Sequence, residues 1–96
     1  ILDEPCNGLD LFAREELLDR VAKIAEMPHH PALLMVSHYT EELLPCFQNV
    51  LLLRRGEAIG SGKRQAMLTA DNLSDFYQRP IKTVAVRQNR LAVYPK

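Results

Sequence analysis

Two acids in succession, Asp3-Glu4, close the short apolar opening Ile1-Leu2 and are followed by Pro5 and the turn pair Asn7-Gly8. Charge at the end of a strand that runs into a core is costly unless something matches it. A divalent cation would do so, since Asp3 offers the hard oxygen donor that Mg²⁺ takes. Glu4, one residue on, would then be free to take a proton from an attacking water. The same two acids could instead begin a loop and cap nearby amides, and alone they do not choose between these roles. His38 is the second residue of interest, because it directly follows the apolar run 32–37. A lone histidine there reads equally as a core side chain satisfied by a backbone carbonyl. Asp10 suits the N-cap of the helical pattern that follows it.

Other combinations are weaker. Gly60-Ser61-Gly62-Lys63 suggests a phosphate-binding loop, but Glu57 stands where the first glycine of GxxxxGK[ST] belongs and Arg64 where Ser or Thr must hold the metal. A plain turn after a strand return fits it better. His29 and His30, between two prolines, read as a solvated loop, and their spacing to the cysteines matches no structural zinc site. Cys6 and Cys46 are 40 residues apart without a CxxC pair, which suits two reduced thiols better than a disulfide framework.

The elements that must hold these residues follow from pattern. A helix is expected over 11–26, its buried face formed by Leu17, Leu18, Val21, Ile24 and Ala25, with Glu16–Arg20 and Asp19–Lys23 as surface pairs. Residues 32–37 read as a strand buried on both faces, because they are continuously apolar. Next come a short helix over 40–44, a strand over 49–54, a turn at Arg55-Gly56 and its return over 57–60. Short helices are expected near 64–69 and 74–77. A final hairpin is built from 83–86 and 91–94, around a turn that lacks the glycine such turns favour. Strand, helix, strand, then antiparallel additions make an α/β pattern with a parallel core, in which function gathers at the carboxyl ends of the strands. Asp3, Glu4 and His38 all fall there.

Composition sets the limits. The 96 residues are 47% hydrophobic and 25% charged, with 12 basic and 12 acidic side chains and no net charge. That argues against disorder and against a wholesale basic nucleic-acid binder. The longest apolar runs, 32–36 and 50–53, fall far short of the ~20 residues that span a bilayer, and neither a membrane helix nor a signal peptide is expected. Residues 1–48 carry nine acids and three bases, and residues 49–96 the reverse. Such a split could steer a phosphate-rich partner, but it more simply helps two halves of one domain associate. The chain opens on Ile1 inside a motif, so it is read as a piece of a longer one.

The order of the motifs is more specific than any of them alone. Ile1-Leu2-Asp3-Glu4-Pro5, then Asn7-Gly8-Leu9-Asp10, then Val36-Ser37-His38 and Thr40-Glu41-Glu42-Leu43 closely resemble the C-terminal part of ABC-type ATPase domains. In that comparison the first run looks like the Walker B strand end, the second like the D-loop and Ser37-His38 like the switch histidine. The resemblance continues through 49–62. It implies a P-loop NTPase-like (RecA-like) parallel sheet with flanking helices and C-terminal antiparallel strands, present here as a partial domain. Residues 1–80 would be the C-terminal part of a nucleotide-binding domain and 81–96 a hairpin tail.

By the same resemblance Asp3 would bind Mg²⁺, Glu4 would be the general base, and His38 would contact the γ-phosphate of ATP while holding water and Glu4 in register. Asp10 would reach across a dimer interface toward a second ATP-binding subunit. The other implied partner is a transmembrane permease, with the protein cytoplasmic and peripheral on the inner face of the membrane. No direct contact with nucleic acid is expected. The family's P-loop, glutamine loop and LSGGQ-like signature do not occur in these residues, which would therefore be inactive by themselves. Leu73-Ser74-Asp75-Phe76-Tyr77 and Pro80-Ile81 resemble the tails of importers of metal or siderophore cargo, although oxyanion importers are not separated from these. A soluble ABC ATPase acting on ribosomes or DNA is an alternative. Gly8 and Tyr39 depart from the D-loop and the acid after the switch histidine that translation factors usually show. A non-catalytic module is another alternative, opposed by the intact Asp3, Glu4 and His38.

Overall fold

The computed structural model describes all of residues 1–96. Its elements run β1 (Leu2–Asp3), α1 (Leu11–Glu26), β2 (Met35–Val36), a 3₁₀ turn (Thr40–Glu42), β3 (Asn49–Arg54), β4 (Glu57–Lys63), α2 (Arg64–Met67), α3 (Ala70–Tyr77), β5 (Ile81–Ala85) and β6 (Leu91–Pro95). They form three two-stranded sheets, β1–β2 parallel and the other two antiparallel. A strand–helix–strand unit thus carries two antiparallel hairpins, the α/β order expected from the sequence.

Helix α1 has the expected bounds. The Asp10 side chain accepts from the Ala13 N–H at 2.8 Å and so caps one of the amides that have no partner within the helix. Its buried face is narrower than expected, with Leu18 and Val21 inside and Ile24 40% exposed. Leu18 and Val21 pack with Cys6 and Leu44 under the β1–β2 pair. A second core joins Leu68, Leu73 and Ile81, against which Val50 and Leu52 of β3 and Val93 of β6 are placed. The β3–β4 connection, Arg55-Gly56, has φ of 52° and 77°. Two consecutive left-handed residues match the right-handed twist of the flanking strands.

Several expectations change. The strand over 32–37 shrinks to Met35–Val36, and Leu34 and Val36 are 57% and 42% exposed rather than buried. Leu33 and Met35 pack on the core, while the opposite face that carries Leu34 and Val36 has nothing within these residues to cover it, and β1 is the only hydrogen-bonded neighbour. The helix over 40–44 is a single 3₁₀ turn, and β4 runs on to Lys63 rather than ending at Gly60. The run Gly60-Ser61-Gly62-Lys63 is therefore strand. Its glycines make room for Met67, whose side chain lies 3.0 Å and 3.3 Å from where their Cβ atoms would be. Asp19 is engaged by Gln88 at 2.9 Å and Arg87 at 3.6 Å, so its anticipated role beside Lys23 gives way to a contact across the fold.

That contact belongs to a larger one. Arg90, 2% exposed, grips the Glu15 carboxylate with both terminal nitrogens, and its Nε donates to the Arg87 carbonyl at 3.1 Å. Arg14 and Arg87 also bond Glu15, at 3.2 Å and 2.9 Å. The acidic first half and basic second half of the chain are thus joined by the β5–β6 hairpin docking on α1. The hydrogen bond from Arg90 outweighs the upward push of burial and holds the Glu15 carboxyl below its ordinary range. A lowered folded pKa adds stability above the unfolded value of about 4.3, and this is lost as pH falls through the folded value. In the full-length protein, Glu15→Gln should therefore lower the thermal midpoint at pH 7 and also reduce the drop in midpoint between pH 5 and pH 3. Calorimetry across that range checks it, and an unchanged drop would contradict the assignment.

The uncovered β1–β2 face predicts a second behaviour. Ile1 is 93% exposed, in addition to Leu34 and Val36. Open strand edges with apolar flanks associate. Expressed alone, the 96 residues should elute well above 10.9 kDa, and a monomer with a sharp calorimetric transition would contradict this.

Candidate functional site

The parallel pair sets the site. β1 and β2 are in register with Leu2 opposite Met35 and Asp3 opposite Val36. The Glu4 N–H donates to the Val36 carbonyl at 2.8 Å, one step beyond the strands. Parallel strands in this register bring their carboxyl ends to one edge, so Glu4 and His38 emerge together. Glu4 Oε1 is in direct contact with His38 Nε2. The contact is attractive only if Nε2 carries its hydrogen, since two facing lone pairs would repel.

Glu4 adopts φ of 47°, the left-handed region that a side chain with a Cβ seldom enters. Such backbone is held only where surrounding bonds fix it. Here the Asn7 N–H donates to the Glu4 carbonyl at 3.1 Å and the Leu9 N–H to the Cys6 carbonyl at 3.1 Å. These turns carry the chain from the strand end to the Asp10 cap in six residues. Asp10 itself is exposed and occupied with Ala13, away from the Glu4–His38 contact.

His38 is braced by its neighbours rather than by burial. The Ser37 hydroxyl donates to Glu42 Oε1 at 2.6 Å and accepts from the Tyr39 N–H at 3.0 Å. Glu42 is buried. Sequence reasoning missed this pair, because a glutamate in a short helical pattern reads as surface. The His38 side chain remains 79% exposed and Glu4 36%, so both are open to a ligand. They line a cleft of about 260 Å³ together with Cys6, Asn7 and Arg14. Burial, helped by nearby Glu42, pushes the Cys6 thiol up. It therefore stays protonated near neutral pH and is no nucleophile.

Asp3 is exposed at the β1 end. No group of three or more His, Cys, Asp and Glu side chains converges anywhere in the chain, His29 and His30 included. A closed zinc site therefore lacks its donors. Mg²⁺ is different, since it is commonly bound through one or two carboxylates while water and phosphate oxygens fill its shell. Asp3 fits that requirement. No helix is long and apolar enough to cross a membrane.

No protein-family profile matches the sequence. Individual proteins do. The chain is 42% identical over 96 residues to an ABC transporter ATP-binding protein of Streptococcus mutans, covering 100% of this chain and 37% of that protein. It is 51% identical over 81 residues to the uncharacterised ABC transporter ATP-binding protein YlmA of Bacillus subtilis, covering 84% and 31%. To the vitamin B12 import ATP-binding protein BtuD of Escherichia coli it is 30% identical over 93 residues, covering 97% and 36%. Among solved structures, an inward-facing ABC transporter of the metal-chelate type superposes with a TM-score of 0.77 at 20% identity, over 99% of this chain and 38% of that one. The chain thus spans about a third of the length of the curated relatives it matches. Strand-end acids, a capped turn, a histidine on the neighbouring strand end and these relatives agree: the chain belongs to the ABC-type ATPases, as a part of an ABC transporter ATP-binding protein.

Proposed function

We propose that these residues form the hydrolytic end of an ATPase site, in a subunit that couples hydrolysis of Mg-ATP to transport through a membrane permease. The observation that carries this reading is the contact of Glu4 Oε1 with His38 Nε2 where two parallel strands end. A carboxylate there can accept a proton from water. The histidine N–H holds that carboxylate in one orientation and, being exposed, can reach a terminal phosphate. Asp3, one residue before the base and free at the strand end, would hold Mg²⁺. The ion would neutralise charge on the phosphate oxygens.

Asp10 and the turn before it would face a second ATP-binding subunit, which fits their exposure. Residues 1–80 would be the C-terminal part of the nucleotide-binding domain and 81–96 its tail. In this reading the protein is cytoplasmic and lies against the inner face of the membrane, bound to its permease. The cargo class we favour is a metal or metal chelate taken up by import. It is supported by the tail resemblance at 73–81 and by the vitamin B12 importer among the relatives.

In the full-length protein, Glu4→Gln should lower ATP turnover by about 100-fold or more, the scale for removing a general base, with nucleotide affinity little changed. A nucleotide-bound dimer should then accumulate on a sizing column run with Mg-ATP. Asp3→Asn should weaken Mg²⁺-dependent binding itself. Near-normal turnover in Glu4→Gln would withdraw the assignment of the whole strand end.

The 96 residues alone should show no Mg-ATP-dependent turnover and feeble nucleotide affinity. They hold a base and a metal ligand but no cradle for the β- and γ-phosphates. Micromolar ATP binding, measured by calorimetric titration, would overturn this.

A further inference from the structure

Arg90, which docks the C-terminal hairpin on α1, also reaches the segment that carries His38. Its Nη1 donates to the Glu41 backbone carbonyl at 2.9 Å while the same guanidinium holds Glu15. The Thr40 hydroxyl donates to the Leu91 carbonyl at 2.7 Å. Two successive hairpin residues therefore grip two successive residues of the 3₁₀ turn just beyond His38. On the other side of the histidine, Ser37 is tied to Glu42. Glu15 lies on the helix that Asp10 caps, and the loop from Glu4 to Asp10 is pinned by its own backbone bonds. The guanidinium thus joins, a second time, the two segments whose ends meet as Glu4 and His38.

We infer that Arg90 is a positioning residue for hydrolysis, fixing the His38 segment against the Glu4–Asp10 segment so that the hairpin tail sets the rate of the hydrolytic pair. The inference rests on the reading of Glu4 and His38 as base and switch. Arginine is suited to this because its planar fork can satisfy a carboxylate with two N–H groups and still spare one for a carbonyl. Lysine has no such fork. Misplacing a catalytic group by about 1 Å can cost a factor of about 100, so the bridge has leverage without touching the reacting atoms.

The test is ATP turnover of Arg90→Met, Arg90→Lys and Ile81→Ala in the full-length protein, each with His38 intact and in a His38→Ala background. Ile81 is buried against Leu68 and Leu73, so its truncation loosens the same hairpin while leaving the Arg90 contacts in place. Arg90→Met should lower kcat by about 10-fold or more, with KM for ATP changed less than about twofold, and Arg90→Lys should fall between. Ile81→Ala should lower the thermal midpoint but keep kcat near normal below it. In the His38→Ala background, Arg90→Met should cause no further loss. Equal loss from Arg90→Met and Ile81→Ala at matched thermal stability would overturn the inference, as would the same fold-loss from Arg90→Met in both backgrounds. Normal turnover in His38→Ala alone would instead overturn the reading of the pair, and the inference with it.

Discussion

The buried ion pair between Arg90 and Glu15 is the constraint on which the arrangement of the chain depends. Each core on its own is small: four buried residues under β1–β2 and three beneath the hairpins. The guanidinium supplies the connection by holding a helix side chain, a turn carbonyl and a carbonyl of its own loop at once. A buried pair need not be worth more than well-packed apolar residues, since desolvation offsets much of the attraction. Removing Glu15, however, leaves the Arg90 guanidinium charged and buried, at a cost of about 3–5 kcal/mol. Its value here is directional, because it admits one orientation of hairpin, helix and 3₁₀ turn.

The site is organised by a second constraint, parallel register. Two strands of two residues each bury little, yet their pairing decides which side chains share an edge. By the same register Glu4 falls opposite Ser37, so its contact with His38 depends on the chain leaving strand geometry at Glu4. The hydrogen bond from the Glu4 N–H to Val36 extends the register one residue beyond the strands. From there the left-handed backbone at Glu4 turns the chain into the capped loop. Strain is accepted where it aims a carboxylate, as is common at functional sites.

How much of this was legible in the sequence depends on how local the cause is. Asp3, Glu4, Asp10 and His38 could be picked out because strand ends, a turn pair and an N-cap are written within a few residues of each. Helix α1 matched its expected bounds for the same reason. The strand over 32–37 did not, because its apolar composition speaks of neighbours on both faces and within these residues it has one. The glycines of β4 were misread because the reason for them is Met67, a side chain on the following helix. Arg90 carries no local signal. Its partner Glu15 lies 75 residues earlier, and no local pattern marks a pair so far apart.

The hairpin turn shows the same point from the other side. A tight turn without glycine looked unfavourable, and Gln88 and Asn89 do take left-handed backbone, with φ of 60° and 57°. Bonds within the turn and one to α1 hold them there. The Val86 N–H donates to the Arg90 carbonyl at 2.8 Å, Arg90 Nε reaches the Arg87 carbonyl, and the Gln88 side chain bonds Asp19 on α1. The turn is therefore shaped by the helix it docks on. The opposed charges of the two halves of the chain are what draw that helix and that turn together. Part of an imbalance that could have been read as an electrostatic surface for a phosphate-rich partner is used within the fold, where Glu15 and Asp19 meet Arg87 and Arg90.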